Sequence, residues 1–316
     1  MTMTPADRPI RPQLSFVGRL RIFLEMIKFS HSIFAMPFAL IGAFLASRRI
    51  GLTWPGWTRL GLVVVCMVLA RTFAMTFNRL ADRRLDARNP RTLRRPSVTG
   101  EISAPFMAGL LVLTGLLFIG ATGLFYVLKQ NIFPLLLSAP VLAWIAGYSL
   151  TKRFTWLCHF VLGISLGLAP VSAWIAIVPP HGPAVDPQIL LLGIAVTFWT
   201  AGFDILYALQ DMQVDRSEKL SSIPAKIGIG KSLWVSRLCH LLTIMAMTAF
   251  GSGWLGGMPL GVLFWIGLAA VLILLVVEQS LVKANDISKV NLAFMTVNGL
   301  VGLVFGTLAI AAVLLH

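Results

Sequence analysis

Long apolar runs broken by short polar segments dominate the chain, and none shows the strict alternation of a half-buried strand. Nine runs approach the length needed to cross a bilayer: roughly 31–47, 60–78, 103–126, 132–149, 158–178, 188–210, 232–254, 260–279 and 291–315. Continuous runs of this kind predict helices, because a helix satisfies its own backbone in hydrocarbon whereas barrel strands alternate. Ahead of the first run, Phe16, Leu20, Phe23, Leu24 and Ile27 interleave with Arg19, Arg21 and Lys28. Residues 16–30 therefore read as an amphipathic helix on the cytoplasmic membrane surface. Residues 1–15, with Pro5, Pro9 and Pro12, read as a disordered tail without a signal peptide. The expectation is an all-α, polytopic membrane protein, with one transmembrane domain over residues 1–316.

Composition agrees: 57% of residues are hydrophobic and only 12% are charged, with a mean hydropathy of +0.85. A soluble domain carries about twice that charged fraction. The net charge of +14 would suggest nucleic acid in a soluble protein. Here it reads instead as basic loops retained on one side of a membrane, with no nucleic-acid partner. The N-terminal segment and the loops after the second, fourth, sixth and eighth runs hold 20 of the 26 Lys and Arg residues. The other loops hold only Arg48, Arg49, Arg59 and Lys129. The N-terminus is thus expected in the cytoplasm and the C-terminus on the opposite side of a bacterial-type inner membrane. Cys66, Cys158 and Cys239 lie far apart in or beside apolar runs and read as core residues.

Two polar loops on the basic side resemble one another. The first carries Asn78, Asp82 and Asp86, then Pro96 and Gly100; the second carries Asp204, Tyr207, Asp211 and Asp215, then Pro224 and Gly228. The shared order suggests an internal duplication with a site where the halves meet. At about 100° per residue, each motif places its oxygen ligands on one helical face at the cytoplasmic end of a span, with Arg71 on the same face as the first. Such stripes are costly unless they face a cavity or a partner, and two facing stripes repel unless cations intervene. Oxygen-only ligands favour Mg²⁺, which shares its shell with phosphate. Arg83, Arg84, Arg94, Arg95, Lys152 and Arg153 flank the motifs as further phosphate donors.

These residues carry a resemblance to the UbiA superfamily of intramembrane aromatic prenyltransferases. It rests on the Asn78–Asp86 and Asp204–Asp215 motifs. It extends to "HSIFAMPFALIGAFLA" in the first span, "YSLTKRFTWLCH" after the fourth and "LGISLGLAPVSAWIAI" in the fifth. The resemblance implies nine helices around a central cavity that opens laterally to lipid and is capped by the two long loops. It implies that Asn78, Asp82, Asp86, Asp211 and Asp215 bind two Mg²⁺ ions bridging the diphosphate of a polyprenyl substrate. Asp204 matches the head of the second motif, Tyr148 and Lys152 match a tyrosine–lysine pair near the diphosphate, and Arg71 matches a contact for an aromatic acid. The implied reaction ionises the allylic C–O bond, lets the aromatic ring attack the cation, and returns a ring proton to a carboxylate, Asp82 or Asp86. Phe73, Phe77, Phe203 and Tyr207 lie where ring faces could steady that cation. The acceptor is 4-hydroxybenzoate or, as "FWTAGFDILYALQDMQVDRSEKLSSIPAKIG" suggests, 1,4-dihydroxy-6-naphthoate for menaquinone.

Two rival classes fit less well. A CDP-alcohol phosphotransferase needs an Asp-Gly pair that does not precede Asp86-Ala87-Arg88. A cation-coupled transporter keeps its acids near the bilayer midplane, whereas these sit at helix ends. Other features read as structure: the Gly163/Gly167 and Gly302/Gly306 pairs for close packing, Pro37, Pro134, Pro140 and Pro170 for kinks, Trp54 and Trp57 as interfacial anchors. His31 and His159 read as interfacial residues, and Glu278, Lys283, Asp286 and Lys289 as the solvated border of the last cytoplasmic loop.

Overall fold

The computed structural model describes residues 15–27, 35–182 and 185–315. Within them the chain is helical, apart from one isolated bridge between Lys283 and Asp286. In chain order the helices are α1 (Phe16–Met26), α2 (Met36–Arg49), α3 (Trp57–Ala81), α4 (Arg83–Asp86), α5 (Pro96–Thr99), α6 (Ala104–Lys129) and α7 (Phe133–Thr151). There follow α8 (Cys158–Ile177), α9 (Pro187–Ala208), α10 (Met212–Ser217), α11 (Ile223–Gly251), α12 (Val262–Leu281), α13 (Val290–Leu292) and α14 (Asn298–Leu314). A 3₁₀ turn at Leu209–Asp211 joins α9 to α10, and a π-turn at Ala293–Val297 joins α13 to α14.

The long helices close into a ring: α2 packs on α3, α3 on α6 and α7, and α7 on α8. From there α8 meets α9, α9 meets α11, α11 meets α12, and α14 returns from α12 to α2. Among the described residues, eight helices are long and apolar enough to cross a membrane, one fewer than the nine runs expected. The difference is α2, which has 14 described residues. At 1.5 Å per residue, that is about 21 Å, short of a hydrocarbon core of about 30 Å. Residues 31–34 of the first run, His31 among them, lie outside the described part, as does the tail at 1–14. Outward faces are apolar and exposed, with Leu116 at 63% and Ile273 at 64%, as expected of surfaces that meet lipid.

Small residues let the helices approach. A Cβ on Gly163 or Gly167 of α8 would run into the backbone or side chain of Thr197 on α9, and one on Gly306 into Pro37. Pro37 and Pro134 sit in the first turns of α2 and α7, where the missing N–H costs nothing; Pro140 and Pro170 alone of the four are interior to helices. Asn131, 1% exposed, donates from Nδ2 to the carbonyls of Ile175, Ala176 and Val178 at 2.8, 3.2 and 2.9 Å. It thereby supplies partners for the carbonyls left open at the end of α8. Asn131→Ala is expected to cost about 2 kcal/mol, because these carbonyls have no water to turn to. A fall in the detergent melting temperature would report it; an unchanged one would contradict the role.

The structure supports the duplication. Each long cap segment has an extended residue, then a proline-led helical turn, then a glycine with positive φ: Arg95, Pro96, Gly100 (φ 81°) in one and Ser222, Pro224, Gly228 (φ 77°) in the other. That φ, rather than lack of room, explains glycine at 228, since a Cβ there meets nothing within 4 Å. The N-terminal helix α1 packs against the rest of the chain. Phe23, Met26 and Ile27 of its apolar face pack with Ile102 and Met107 beneath the first cap loop.

Candidate active site

Neither aspartate motif lies on one unbroken helix. Asp82 ends α3 and begins α4, and Asp211 closes the 3₁₀ turn after α9. The first keeps helical bonding across the joint, since Asp82 N–H reaches Asn78 O at 2.9 Å and Asp86 N–H reaches Asp82 O at 2.7 Å. Its oxygens therefore stay on one side, as the spacing required.

Each motif acid is held by a base. Arg95 reaches Asp86 at 2.6 Å and Arg153 reaches Asp82 at 3.2 Å. Lys152 reaches Asp215 at 2.6 Å, and Ser222 donates to the other oxygen of Asp215 at 2.7 Å. Arg91 clasps Asp211 with two bonds, Nε to Oδ1 at 2.9 Å and Nη2 to Oδ2 at 2.6 Å, while Asn89 adds a third at 2.8 Å. The consecutive residues Lys152 and Arg153 thus hold one acid from each motif, and Asn89 and Arg91 carry the first loop onto the second. Consecutive Cα atoms are about 3.8 Å apart, so the halves meet at this dibasic step.

Electrostatics follow from burial and pairing. Burial pushes the Asp82 carboxyl above its ordinary range, opposed by the bond from Arg153 and reinforced by the charge of Asp86. Burial pulls the Lys152 ammonium down, but the charge and hydrogen bond of Asp215 outweigh it and hold it above its usual value. Arg91 follows the same pattern with Asp211.

Below the acids lies a cavity of about 1000 Å³. Its polar end is lined by Arg71, Arg79, Arg91, Arg94, Arg95, Tyr148, Asp204 and Tyr207, and its deep end by apolar residues such as Phe118, Phe125 and Val141. Asp204 alone of the motif aspartates appears in this lining; Arg91 and Arg95, which hold Asp211 and Asp86, also line it and set those two acids at its rim. His159 is not interfacial: it is 2% exposed, and its Nδ1 lies 2.7 Å from Asp204 Oδ2. The Ile223 N–H donates to His159 Nε2 at 3.3 Å, so Nδ1 carries the proton that faces Asp204.

The other expected residues take varied places. Arg83 braces the cap loop through a bond to the Ser97 carbonyl at 2.8 Å, and Arg84 is exposed. Phe73 packs toward Gly115 on α6, whereas Phe203 and Tyr207 do line the cavity. Glu278 is fully buried, not a solvated border residue. Sequence reasoning missed Arg79, which lies 3.9 Å from Asp86, and Arg91, whose choice of partner spans 120 residues. It also missed Phe294, stacked on Tyr207 at 4.2 Å between ring centroids.

Comparison with known proteins agrees with this geometry. The model of the UbiA prenyltransferase family matches residues 35–300. The chain belongs to the UbiA prenyltransferase family. Among curated relatives, 4-hydroxybenzoate octaprenyltransferase of Pseudoalteromonas translucida is 30% identical over 79% of this chain and 81% of its own length. The protein of the same name from Nitrosomonas europaea is 28% identical over 92% and 95%. The apo structure of a UbiA homolog from Aeropyrum pernix K1 superposes with a TM-score of 0.78 at 30% identity, over 90% of this chain and 98% of that one. A UbiA homolog from Archaeoglobus fulgidus, bound to GPP and Mg²⁺, shares the fold at 19% identity and a TM-score of 0.65. The chain is thus a multi-pass membrane prenyltransferase of the UbiA family.

The residues of this UbiA-family enzyme suit a hard divalent cation in kind. The donors are oxygens, and Asp86 Oδ2 is buried without a hydrogen-bond partner. As they stand, no three His, Cys, Asp or Glu side chains among the described residues are grouped to hold an ion. Each carboxylate faces a guanidinium or ammonium instead, and those are the groups that recognise phosphate.

Proposed function

We propose that this enzyme moves a polyprenyl group from polyprenyl diphosphate to an aromatic acid, 4-hydroxybenzoate, with Mg²⁺ as cofactor, in quinone biosynthesis. The observation that carries this reading is the join at Lys152 and Arg153. It sets acids of both motifs and a cluster of arginines at the rim of a cavity whose deep end is apolar. The names of the curated relatives support the acceptor, and the GPP- and Mg²⁺-bound homolog supports the donor and metal. In this reading the N-terminus is cytoplasmic, and the diphosphate sits at the cytoplasmic face while its tail stays among the apolar residues.

Asn78, Asp82, Asp86, Asp211 and Asp215 would hold Mg²⁺, two ions in all, which when bound neutralise charge on the diphosphate. Arg91, Arg95, Lys152 and Arg153 then exchange their carboxylates for phosphate oxygens and stabilise the leaving group. The allylic C–O bond breaks with its electron pair going to the diphosphate. The carbon of the ring ortho to the phenol oxygen forms the new C–C bond, and the ring proton leaves. Asp204 is placed to take that proton, because it faces the cavity and His159 orients it, whereas Asp82 and Asp86 are not in the cavity lining. Arg71 and Tyr148 sit deeper on the same wall and hold the acceptor. The cavity must exclude water, or the cation ends as an alcohol.

The test is a membrane assay with radiolabelled polyprenyl diphosphate and a panel of acids that includes 4-hydroxybenzoate and 1,4-dihydroxy-6-naphthoate. The expected product has the mass of prenylated 4-hydroxybenzoate. Chelation is expected to stop its formation and added Mg²⁺ to restore it. A product only with the naphthoate would move the acceptor assignment, and product unaffected by exhaustive chelation would remove the metal.

A further inference from the structure

Behind the aromatic wall of the cavity lies a buried polar cluster that the reaction above does not use. Glu278 on α12 and Asn298 at the start of α14 are both 0% exposed. Their connections are fixed by donor and acceptor chemistry. The Trp199 indole N–H can only donate, and it reaches Asn298 Oδ1 at 2.8 Å. Asn298 Nδ2 must therefore face the acceptors: Glu278 Oε1 at 2.8 Å and the Ala293 carbonyl at 3.2 Å. The second oxygen of Glu278 lies 3.8 Å from His240 Nε2. Gln279 ties His240 to Ser236, which in turn bonds the Gly202 carbonyl on α9.

Burying a carboxyl and an amide inside a membrane bundle is costly, and such groups mark function more often than structure. The two ends of this cluster lead to the same place. Ala293 begins the π-turn that carries Phe294, and π-turns recur at functional sites. Phe294 stacks on Tyr207 at 4.2 Å and meets Phe203 edge-on at 5.5 Å. At the other end, the Trp199 ring packs on Phe203 at 5.1 Å. Phe203, Tyr207 and Phe294 all face the cavity beside Asp204.

We infer that Asn298, oriented by Glu278, is a positioning residue that clamps the π-turn to Trp199 and so sets the Phe203–Tyr207–Phe294 wall of the reaction cavity. This rests on the prenyl-transfer reading and adds to it a determinant of how the cation is spent. A closed aromatic wall steadies an allylic cation and keeps water from it. A loosened wall lets water compete with the ring. The alkylated product and the prenyl alcohol come from one common cation, so their ratio does not depend on how much enzyme is folded.

The experiment measures that ratio from polyprenyl diphosphate in wild type, Asn298→Leu, Glu278→Leu, Glu278→Gln and Phe294→Leu. The acceptor is whichever panel compound the wild type alkylates, so failure of the 4-hydroxybenzoate assignment leaves this comparison intact. Asn298→Leu, Glu278→Leu and Phe294→Leu are expected to raise the alcohol share about fivefold, the scale of one cation–π contact. Glu278→Gln keeps an oxygen for Asn298 and is expected to retain the wild-type ratio. An unchanged ratio in Asn298→Leu or Glu278→Leu, whatever their total activity, overturns the inference. So does an unchanged ratio in Phe294→Leu. If the two clamp variants to leucine do not fold, Trp199→Phe removes the N–H that orients Asn298, along with part of the ring that packs on Phe203. A wild-type ratio in that variant is equally fatal.

Discussion

Asp211→Ala and Asp82→Ala are each expected to lower prenyl transfer at least about a hundredfold, the scale on which loss of one charge-stabilising group acts in a preorganised site. The chain should still fold in detergent. Asp211 is bonded by Arg91 and Asn89 across 120 and 122 residues, so its loss also frees the two cap-loop groups that carry the first motif onto the second. The folding cost is modest because the Arg91 side chain is 32% exposed and can turn to water. Asp215 differs: its side chain is 2% exposed and also accepts from buried Ser222. Asp215→Ala should therefore lose stability as well as activity. The discriminating control is Arg91→Met, which leaves every motif acid in place and removes only the clasp. It should impair turnover less than Asp211→Ala. Product mass and detergent melting curves, read together, check the set. Near-normal product from Asp211→Ala at saturating Mg²⁺ would remove the metal role from the second motif.

The spans were legible because lipid imposes a demand that local sequence can meet alone: enough consecutive apolar residues. The acids were legible for a related reason, since a carboxylate repeated at helical spacing beside a span needs a purpose. What stayed hidden depends on tertiary approach. Nothing in a run of seven arginines says that Arg91, and not Arg88 or Arg94, closes on Asp211; the cap-loop fold decides it. His159 read as interfacial because it lies near a span end, yet the bundle seals it against Asp204. Glu278 misled in the same way. It lies three residues before the end of α12, where a charge is usually wet, but His240 of α11 and Asn298 of α14 close around it. The π-turn left no trace in the hydrophobic pattern, because one extra residue per turn shifts register without changing composition.

Arg71→Leu is expected to raise the KM for the aromatic acid at least about thirtyfold while leaving that for the polyprenyl diphosphate within a few-fold, since losing one partner of a buried charge pair costs about 2–5 kcal/mol. Arg71 lies seven residues before Asn78 on α3, so it sits about 10 Å along the helix from Asn78 and about 16 Å from Asp82. At that depth a guanidinium is tolerated only toward a polar cavity, and Arg71 does line it, with Tyr148. An acceptor carboxylate can bind the Arg71 guanidinium through a two-pronged bond and so fix the ring's orientation. Arg71→Lys keeps the charge but not the fork, so its KM should fall between the two. Phenol sharpens the test, because it lacks the carboxylate. Wild type should prefer the acid to phenol, and Arg71→Leu should lose that preference by a similar factor. Equal rises in both KM values, or an unaltered preference over phenol, would place Arg71 with the diphosphate or with the scaffold instead.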